Sequence, residues 1–166
     1  MRAGAPPSGP AAPSLVWRIT RRRHAGRAFD GEGARLHGGR WNPPGVAVVY
    51  TSATFSLAAL EYFVQLDSDA APDDLVAVAA ELPAGAAVRR IELAELPANW
   101  RVYPAPEALR EIGAAWVRAG STPVLAVPSA LIPHERNLLL TPSHPDLAVL
   151  RALPPEPFSF DPRMWK

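Results

Sequence analysis

The sequence predicts a single domain of the α+β class, and three observations favour it. Hydrophobic residues make up 48% of the 166 residues, which is typical of a globular chain with a real core. Short apolar runs bounded by glycine and proline predict several strands. Two longer segments, 55–66 and 106–119, have the composition of helices. We therefore expect mixed β-strands around a buried central helix.

The first fourteen residues and the amino-acid composition count against several classes of protein. Residues 1–14 are rich in Ala, Pro, Gly and Ser and lack the apolar core of a signal peptide, which predicts a disordered tail before a domain over residues 15–166. No apolar run approaches the ~20 residues needed to cross a bilayer. The chain has no cysteine, so disulfides, thiolate metal sites and cysteine nucleophiles are excluded. We expect a cytoplasmic protein that does not bind membranes.

The apolar runs and their boundaries predict the elements in chain order. Strands are predicted at 15–19, 46–50, 75–82, 88–93, 124–127 and 137–140. The helix at 106–119 has proline in its first turn and is closed by Gly120. Near the end of the chain, Phe158 and Phe160 are expected to dock on the body of the domain.

The glycine-rich segment, residues 31–45, is predicted to be a long loop. Loops of this length inside a compact domain are usually functional. The strand at 46–50 and the helix at 55–66 follow it directly. That helix is apolar on nearly every side, which favours a buried position, and it carries one acid, Glu61.

Charge is unevenly distributed along the chain. Residues 1–40 hold eight arginines and only two acids, a net charge of +6, although the whole chain has a net charge of +1. A basic front half is compatible with nucleic-acid binding or with a pocket for a small phosphate-bearing ligand. The arginines at 21–23 lack interleaved aromatic residues, so a solvated surface or binding of a small anion is favoured over DNA binding.

Glu61 and Arg40 are the sharpest candidates for chemistry. A carboxylate on so apolar a helix is costly unless it is paired or hydrogen-bonded, so Glu61 is either functional or a structural ion-pair partner of Arg40 or Arg23. Arg40 lies between Gly39 and Trp41, where a guanidinium suits a phosphate or carboxylate. The alternative for Arg40 is a loop arginine stacked on Trp41.

Two further residues end predicted strands. Tyr50 is either the wall of a pocket or, more commonly, a core tyrosine with a satisfied hydroxyl. Ser129 lacks the G-x-S-x-G context of a hydrolase nucleophile, so it is a polar group facing a pocket or a turn serine. The scattered histidines match no metal motif, and we expect no metal. The residues alone predict a pocket for a phosphate-bearing ligand with one buried acid.

Several motifs resemble the RES domain family. They are FDGEGAR at 29–35, GGRWNPPG at 38–45, VY at 49–50, ALE at 59–61 and VPS at 127–129. The similarity extends over about residues 17–147. The family is named for an arginine, a glutamate and a serine, which by position are Arg40, Glu61 and Ser129.

The resemblance implies a toxin of a bacterial type II toxin–antitoxin pair, with a fold similar to that of ADP-ribosyltransferase toxins. Such toxins consume NAD, with water, phosphate or a protein as the acceptor of ADP-ribose. The implied partner is an Xre-type helix-turn-helix antitoxin, in a homodimeric or larger assembly, without direct contact of the toxin with nucleic acid. The alternative is a non-catalytic module that uses the basic region 21–40 to bind nucleic acid or a partner protein.

The resemblance also implies roles for individual residues. Glu61, Arg40 and Tyr50 are expected to be catalytic. NAD is expected to be bound by Arg23, His24, Arg40, Tyr50, Ser129 and Asn137. Two positions depart from the family pattern, because His24 stands where the family has tyrosine and Thr141 where an asparagine is expected.

Overall fold

One mixed sheet organises the chain. The computed structural model describes residues 15–67 and 69–165, so the tail predicted at 1–14 lies outside the described residues. The strands are β1 (Leu15–Arg21), β2 (Val49–Ser52), β3 (Leu75–Glu81), β4 (Val88–Arg90), β5 (Val124–Pro128), β6 (Arg136–Leu140), β7 (Arg151–Ala152) and β8 (Glu156–Pro157). Their order is β4-β5-β6-β2-β1-β3-β7, and β8 also pairs with β3. The α+β prediction is confirmed.

The described residues form three α-helices and several short 3-10 helices. The α-helices are α1 (Glu32–His37), α2 (Phe55–Phe63) and α3 (Glu107–Ala119). The 3-10 helices are Arg22–Arg27, Leu93–Glu95, Pro145–Val149 and Pro162–Trp165. None of these helices has the length and apolar content needed to cross a bilayer.

The glycine-rich segment is not wholly a loop, because it contains α1. Gly31, with φ of 72°, turns the chain into this helix, and Gly38, with φ of 71°, ends it. Within α1, Glu32 and Arg35 form an ion pair three residues apart. The prediction of an uninterrupted loop is therefore wrong, because a helix of six residues with its own ion pair fits between the two glycines.

The register of the central strands explains why β2 lies later in the chain than predicted. It pairs with β6 from Val49, opposite Leu140, to Ser52, opposite Asn137. The predicted strand began at Val46, but the Val46 amide donates to the Pro43 carbonyl in a turn instead. Pairing with β6, rather than the apolar run itself, sets the bounds of β2.

The helix α2 packs centrally, against β1 and β2, but only one of its faces is buried. Leu57 and Ala58 are buried, whereas Leu60 is 37% and Val64 is 57% exposed. Along the flank of the helix, Phe158 and Phe160 dock on Phe55 and Phe63, as predicted. The expectation of burial on nearly every side is corrected accordingly, because part of the apolar surface faces solvent.

Both main helices cover the same face of the sheet. Tyr50, Ser52, Asn137 and Leu139 share that face by register. Leu139 packs in one cluster with Leu109 and Trp116 of α3. Trp17, which lies opposite Ser52, packs in another cluster with Ala58 of α2. The two helices therefore flank the centre of the sheet on that face.

Candidate active site

Glu61 projects from α2 toward β6 and the turn after β5, and it is held there by two neutral donors. Its Oε1 accepts hydrogen bonds from Ser129 Oγ at 2.8 Å and from Asn137 Nδ2 at 2.5 Å. These partners lie 68 and 76 positions away in the chain. Within the described part of the chain, Glu61 forms no direct salt bridge, although the charge of Arg40 lies near it. Its other oxygen, Oε2, makes no hydrogen bond with a described residue.

Ser129 is fixed by the turn that follows β5. It is fully buried, and its Oγ accepts hydrogen bonds from the amides of Leu131 and Ile132, each at 3.1 Å. Its own amide donates to the Glu135 carbonyl at 3.0 Å. Since both acceptor positions of the hydroxyl are used by amides, its proton is directed to Glu61.

Asn137 sits between Glu61 and β2. Its Oδ1 accepts from Ser52 Oγ at 2.7 Å, while its Nδ2 donates to Glu61. The family resemblance implies that Asn137 binds NAD; in the structure its Oδ1 and one of its two Nδ2 donors are engaged by the protein. The arrangement makes Asn137 a support of the carboxylate.

Arg40 flanks the carboxylate from the glycine-rich segment. Its Nη1 donates to the carbonyls of Trp100 at 2.9 Å and Val102 at 3.1 Å. Partial burial lowers the pKa of Arg40, and the nearby charge of Glu61 acts in the opposite direction. Its Nε and Nη2 make no hydrogen bonds with described residues. Arg40 therefore fastens the 100–102 loop with one nitrogen and keeps two others free for an anion.

The hydroxyl of Tyr50 fastens the glycine-rich segment. It accepts from the Trp41 amide at 2.9 Å and donates to Asn42 Oδ1 at 2.7 Å. Asn42 Nδ2 in turn donates to the Ala34 and Val46 carbonyls at 2.8 and 2.9 Å. Burial raises the pKa of Tyr50 well above the ordinary tyrosine value. The Tyr50 hydroxyl thus has both of its partners within the protein, as in the alternative of a core tyrosine, and only the ring remains to line a pocket.

Arg23 and His24 lie away from this cluster. Both are exposed in the 3-10 helix Arg22–Arg27, where Arg23 Nε donates to His24 Nε2 at 3.0 Å. The hydrogen bond from Arg21 lowers the pKa of the Asp74 carboxyl, and the nearby charge of Arg23 adds to that effect. None of the described contacts joins Arg23 or His24 to Glu61. The structure thus brings together Glu61, Ser129 and Asn137, with Arg40 and Tyr50 on the adjoining segment.

Three supporting residues were missed by sequence reasoning. Ser52 holds Asn137, and Asn42 holds the glycine-rich segment. Arg110 of α3 donates from Nε to the Gly39 carbonyl at 3.1 Å. Only Asn42 had a local signal, since it lies inside the GGRWNPPG motif. Across residues 15–67 and 69–165, no three His, Asp or Glu side chains are grouped as metal ligands would be.

Comparisons with a family model and with individual relatives both place the chain among RES domain proteins. The family model described as RES domain matches residues 15–161. A protein named Toxin Res from Yersinia enterocolitica is 35% identical over 151 residues, covering 90% of this chain and 99% of that protein. The Prs ADP-ribosylating toxin of Sphingobium sp. is 37% identical over 153 residues, covering 89% and 94%.

A solved structure shares the fold. The crystal structure of the M. tuberculosis MbcT–MbcA toxin–antitoxin complex matches with a TM-score of 0.69 at 17% identity, covering 92% of this chain and 86% of the matched chain. This likeness agrees with the predicted fold class. With a family model over nearly the whole domain and relatives above 30% identity across almost their full length, the chain belongs to the RES domain family of toxins.

Proposed function

We propose that this toxin consumes NAD by cleaving its nicotinamide–ribose bond. The observation that carries the proposal is the carboxylate of Glu61, whose Oε1 is fixed by Ser129 and Asn137 while Oε2 is free. A fixed negative charge suits a reaction that develops positive charge. The relative named as an ADP-ribosylating toxin supports NAD as the substrate, because NAD is the donor of ADP-ribose.

The proposed chemistry needs little more than charge and position. When the C–N bond breaks, its electron pair goes to the pyridinium nitrogen, and neutral nicotinamide leaves. The ribose C1′ is left with oxocarbenium character, as in glycoside hydrolysis. Glu61 stabilises that cation and holds a ribose hydroxyl through Oε2. An acceptor oxygen then attacks C1′ and loses its proton.

The remaining residues are proposed to bind and orient NAD. Arg40 offers its Nε and Nη2 to the pyrophosphate, for which a guanidinium fork is well suited. Tyr50 offers its ring as a wall beside the nicotinamide ribose. On the family resemblance alone, Arg23 and His24 are also proposed to reach the phosphates. Ser129 and Asn137 are proposed to contribute by holding the Glu61 carboxylate in place.

We further propose an Xre-type helix-turn-helix antitoxin as the partner. The solved neighbour was crystallised as a toxin–antitoxin complex, which supports a protein partner of this kind. The cytoplasm is the proposed site of action, since it contains NAD and suits a chain without cysteine.

The purified toxin incubated with adenine-labelled NAD tests the proposal and identifies the acceptor. We expect nicotinamide release without added metal. Label in free ADP-ribose would identify water as the acceptor, label in ADP-ribose phosphate would identify phosphate, and label on a protein band would identify protein transfer. If no nicotinamide is released whether water, phosphate or protein is offered as the acceptor, and the protein binds DNA in a salt-sensitive way, the non-catalytic module is supported instead.

A further inference from the structure

We infer that Ser52 is a positioning residue for Glu61, acting through Asn137. Its consequences for turnover rest on the proposed function. Ser52 ends β2 and is 3% exposed, so its hydroxyl is turned away from solvent. It lies opposite Asn137 on one side and opposite Trp17 on the other, at the one register pair that joins β1 to β2. Two strands therefore fix its backbone.

The direction of the hydrogen-bond chain follows from the carboxylate. Because an ionised carboxylate only accepts, Asn137 must present Nδ2 to Glu61 and Oδ1 to Ser52. The Ser52 hydroxyl must then donate, and its 2.7 Å bond to Oδ1 is its one side-chain hydrogen bond among described residues. Without it, the Asn137 amide is anchored at one end only and is free to rotate about its terminal torsion.

The geometry of Glu61 depends on this second anchor. Asn137 makes the shorter of the two bonds to Oε1, at 2.5 Å against 2.8 Å for Ser129. If the amide rotates, Oε1 keeps a single donor, and the direction of Oε2 is no longer fixed. Charge stabilisation in a transition state requires donors and charges to be in place beforehand. Ser52 thus affects the chemical step more than NAD binding.

Thr51 provides a matched control. It is the preceding residue of β2, is also 3% exposed, and donates its own hydroxyl proton to the Leu138 carbonyl at 2.6 Å. Its side chain points to the opposite face of the sheet, and it has no described contact with the Glu61 cluster. Thr51→Val and Ser52→Ala each remove one buried hydroxyl from the same strand.

Steady-state kinetics on the full chain separate positioning from general stability. For Ser52→Ala we expect kcat for nicotinamide release to fall by roughly 10- to 100-fold, with KM for NAD changed by about twofold or less. Thr51→Val should keep kcat near the wild-type value. Adding Ser52→Ala to Asn137→Ala should cost nothing further, because the first residue acts through the second. Wild-type kcat in folded Ser52→Ala overturns the inference.

A spectroscopic readout decides the point independently of turnover. The side-chain amide NMR signal of Asn137 should be shifted downfield by its bond to Glu61 in the wild type and in Thr51→Val, and should lose that shift in Ser52→Ala. An unchanged amide signal in Ser52→Ala overturns the inference. If the wild type releases no nicotinamide, the proposed function fails, while this signal still decides whether Ser52 orients Asn137.

Discussion

Tyr50 links a strand of the sheet to the segment that carries Arg40. Its hydroxyl has one donor and one acceptor partner, the Trp41 amide and Asn42 Oδ1, which lie one and two positions after Arg40 in the chain. Gly39 comes so close that a Cβ there would lie 2.6 Å from the Tyr50 oxygen. The position of Arg40 is therefore set in part by a residue to which it makes no hydrogen bond.

Tyr50→Phe is expected to destabilise the fold. The change leaves the Trp41 amide and the Asn42 side chain without their partner, at a cost of about 1–3 kcal/mol in the free energy of unfolding. Denaturant unfolding at neutral pH measures it. Tyr103, which is 91% exposed, provides the control, since Tyr103→Phe should change stability by less than about 0.5 kcal/mol. Equal effects of the two substitutions would contradict the linking role of Tyr50.

The same residue gives the stability a dependence on alkaline pH. Burial raises the pKa of Tyr50, so the folded state keeps its proton after the unfolded state begins to lose it near the ordinary value of about 10. The stability that this group contributes is complete below that pH and declines above it. The difference in unfolding free energy between wild type and Tyr50→Phe should therefore shrink as the pH is raised above about 10.

Candidate site residues could be predicted from the sequence more easily than the residues to which they hydrogen-bond. Glu61 was identifiable because a lone acid on an apolar helix needs a reason to be there. Its actual partners were not identifiable from spacing, because Ser129 and Asn137 reach it only through the pairing of β5 with β6 and of β6 with β2. Ser52 had no local signal for its contact with Asn137, and it does not cap α2, because Thr54 accepts from the Leu57 amide at 3.2 Å.

At the scale of elements, α3 holds the glycine-rich segment against the sheet. Gly113 in the middle of α3 allows the closest approach, since a Cβ there would lie 1.7 Å from the Trp41 carbonyl oxygen. Trp41 is buried beside Trp116 and Leu109 in the same cluster. Arg110, one turn earlier, donates to the Gly39 carbonyl. The helix thus contacts the residues on both sides of Arg40.

Gly113→Ala should destabilise the protein even though alanine favours helix. Helix propensity alone would stabilise it by about 1 kcal/mol. The clash with the Trp41 backbone opposes that gain, and overpacking of this kind costs about 1–3 kcal/mol or more. Ala115→Gly, at an exposed position of α3, is the reference for propensity and should cost about 1 kcal/mol. A melting temperature above wild type for Gly113→Ala would show that α3 does not need this close contact.

Elements with a strong local signal were predicted well, and those set by long-range pairing were not. The helix α3 begins and ends where proline and Gly120 indicate, and Gly120 adopts the left-handed conformation, with φ of 57°. The bounds of β2 depend on pairing with β6, whereas α1 is a local element that the surrounding glycines concealed. Strand 88–93 likewise ends at Arg90, because Glu92 already caps the 3-10 turn Leu93–Glu95.

For the whole molecule, the sheet order is what assembles the site. β2 lies between β6 and β1, so a strand from the first third of the chain separates two strands distant from each other in sequence. Both main helices then cover one face, and Glu61 points into the space between them. The sequence allowed the fold class and the family to be predicted, but not this strand order, because pairing between distant strands leaves no local pattern.

The central claim is that the carboxylate of Glu61 stabilises the developing ribose cation. Its most direct test is nicotinamide release by purified Glu61→Gln, with NAD affinity measured on the same sample. Glutamine keeps the size and an acceptor oxygen for Ser129 and Asn137 but removes the charge. Glu81→Gln, on β3 and paired with Arg151, is the control for loss of a carboxylate elsewhere. We predict a fall in kcat on the order of 100-fold or more for Glu61→Gln, with folding and NAD affinity retained and Glu81→Gln near wild type. Nicotinamide release at the wild-type rate by folded Glu61→Gln would contradict the account.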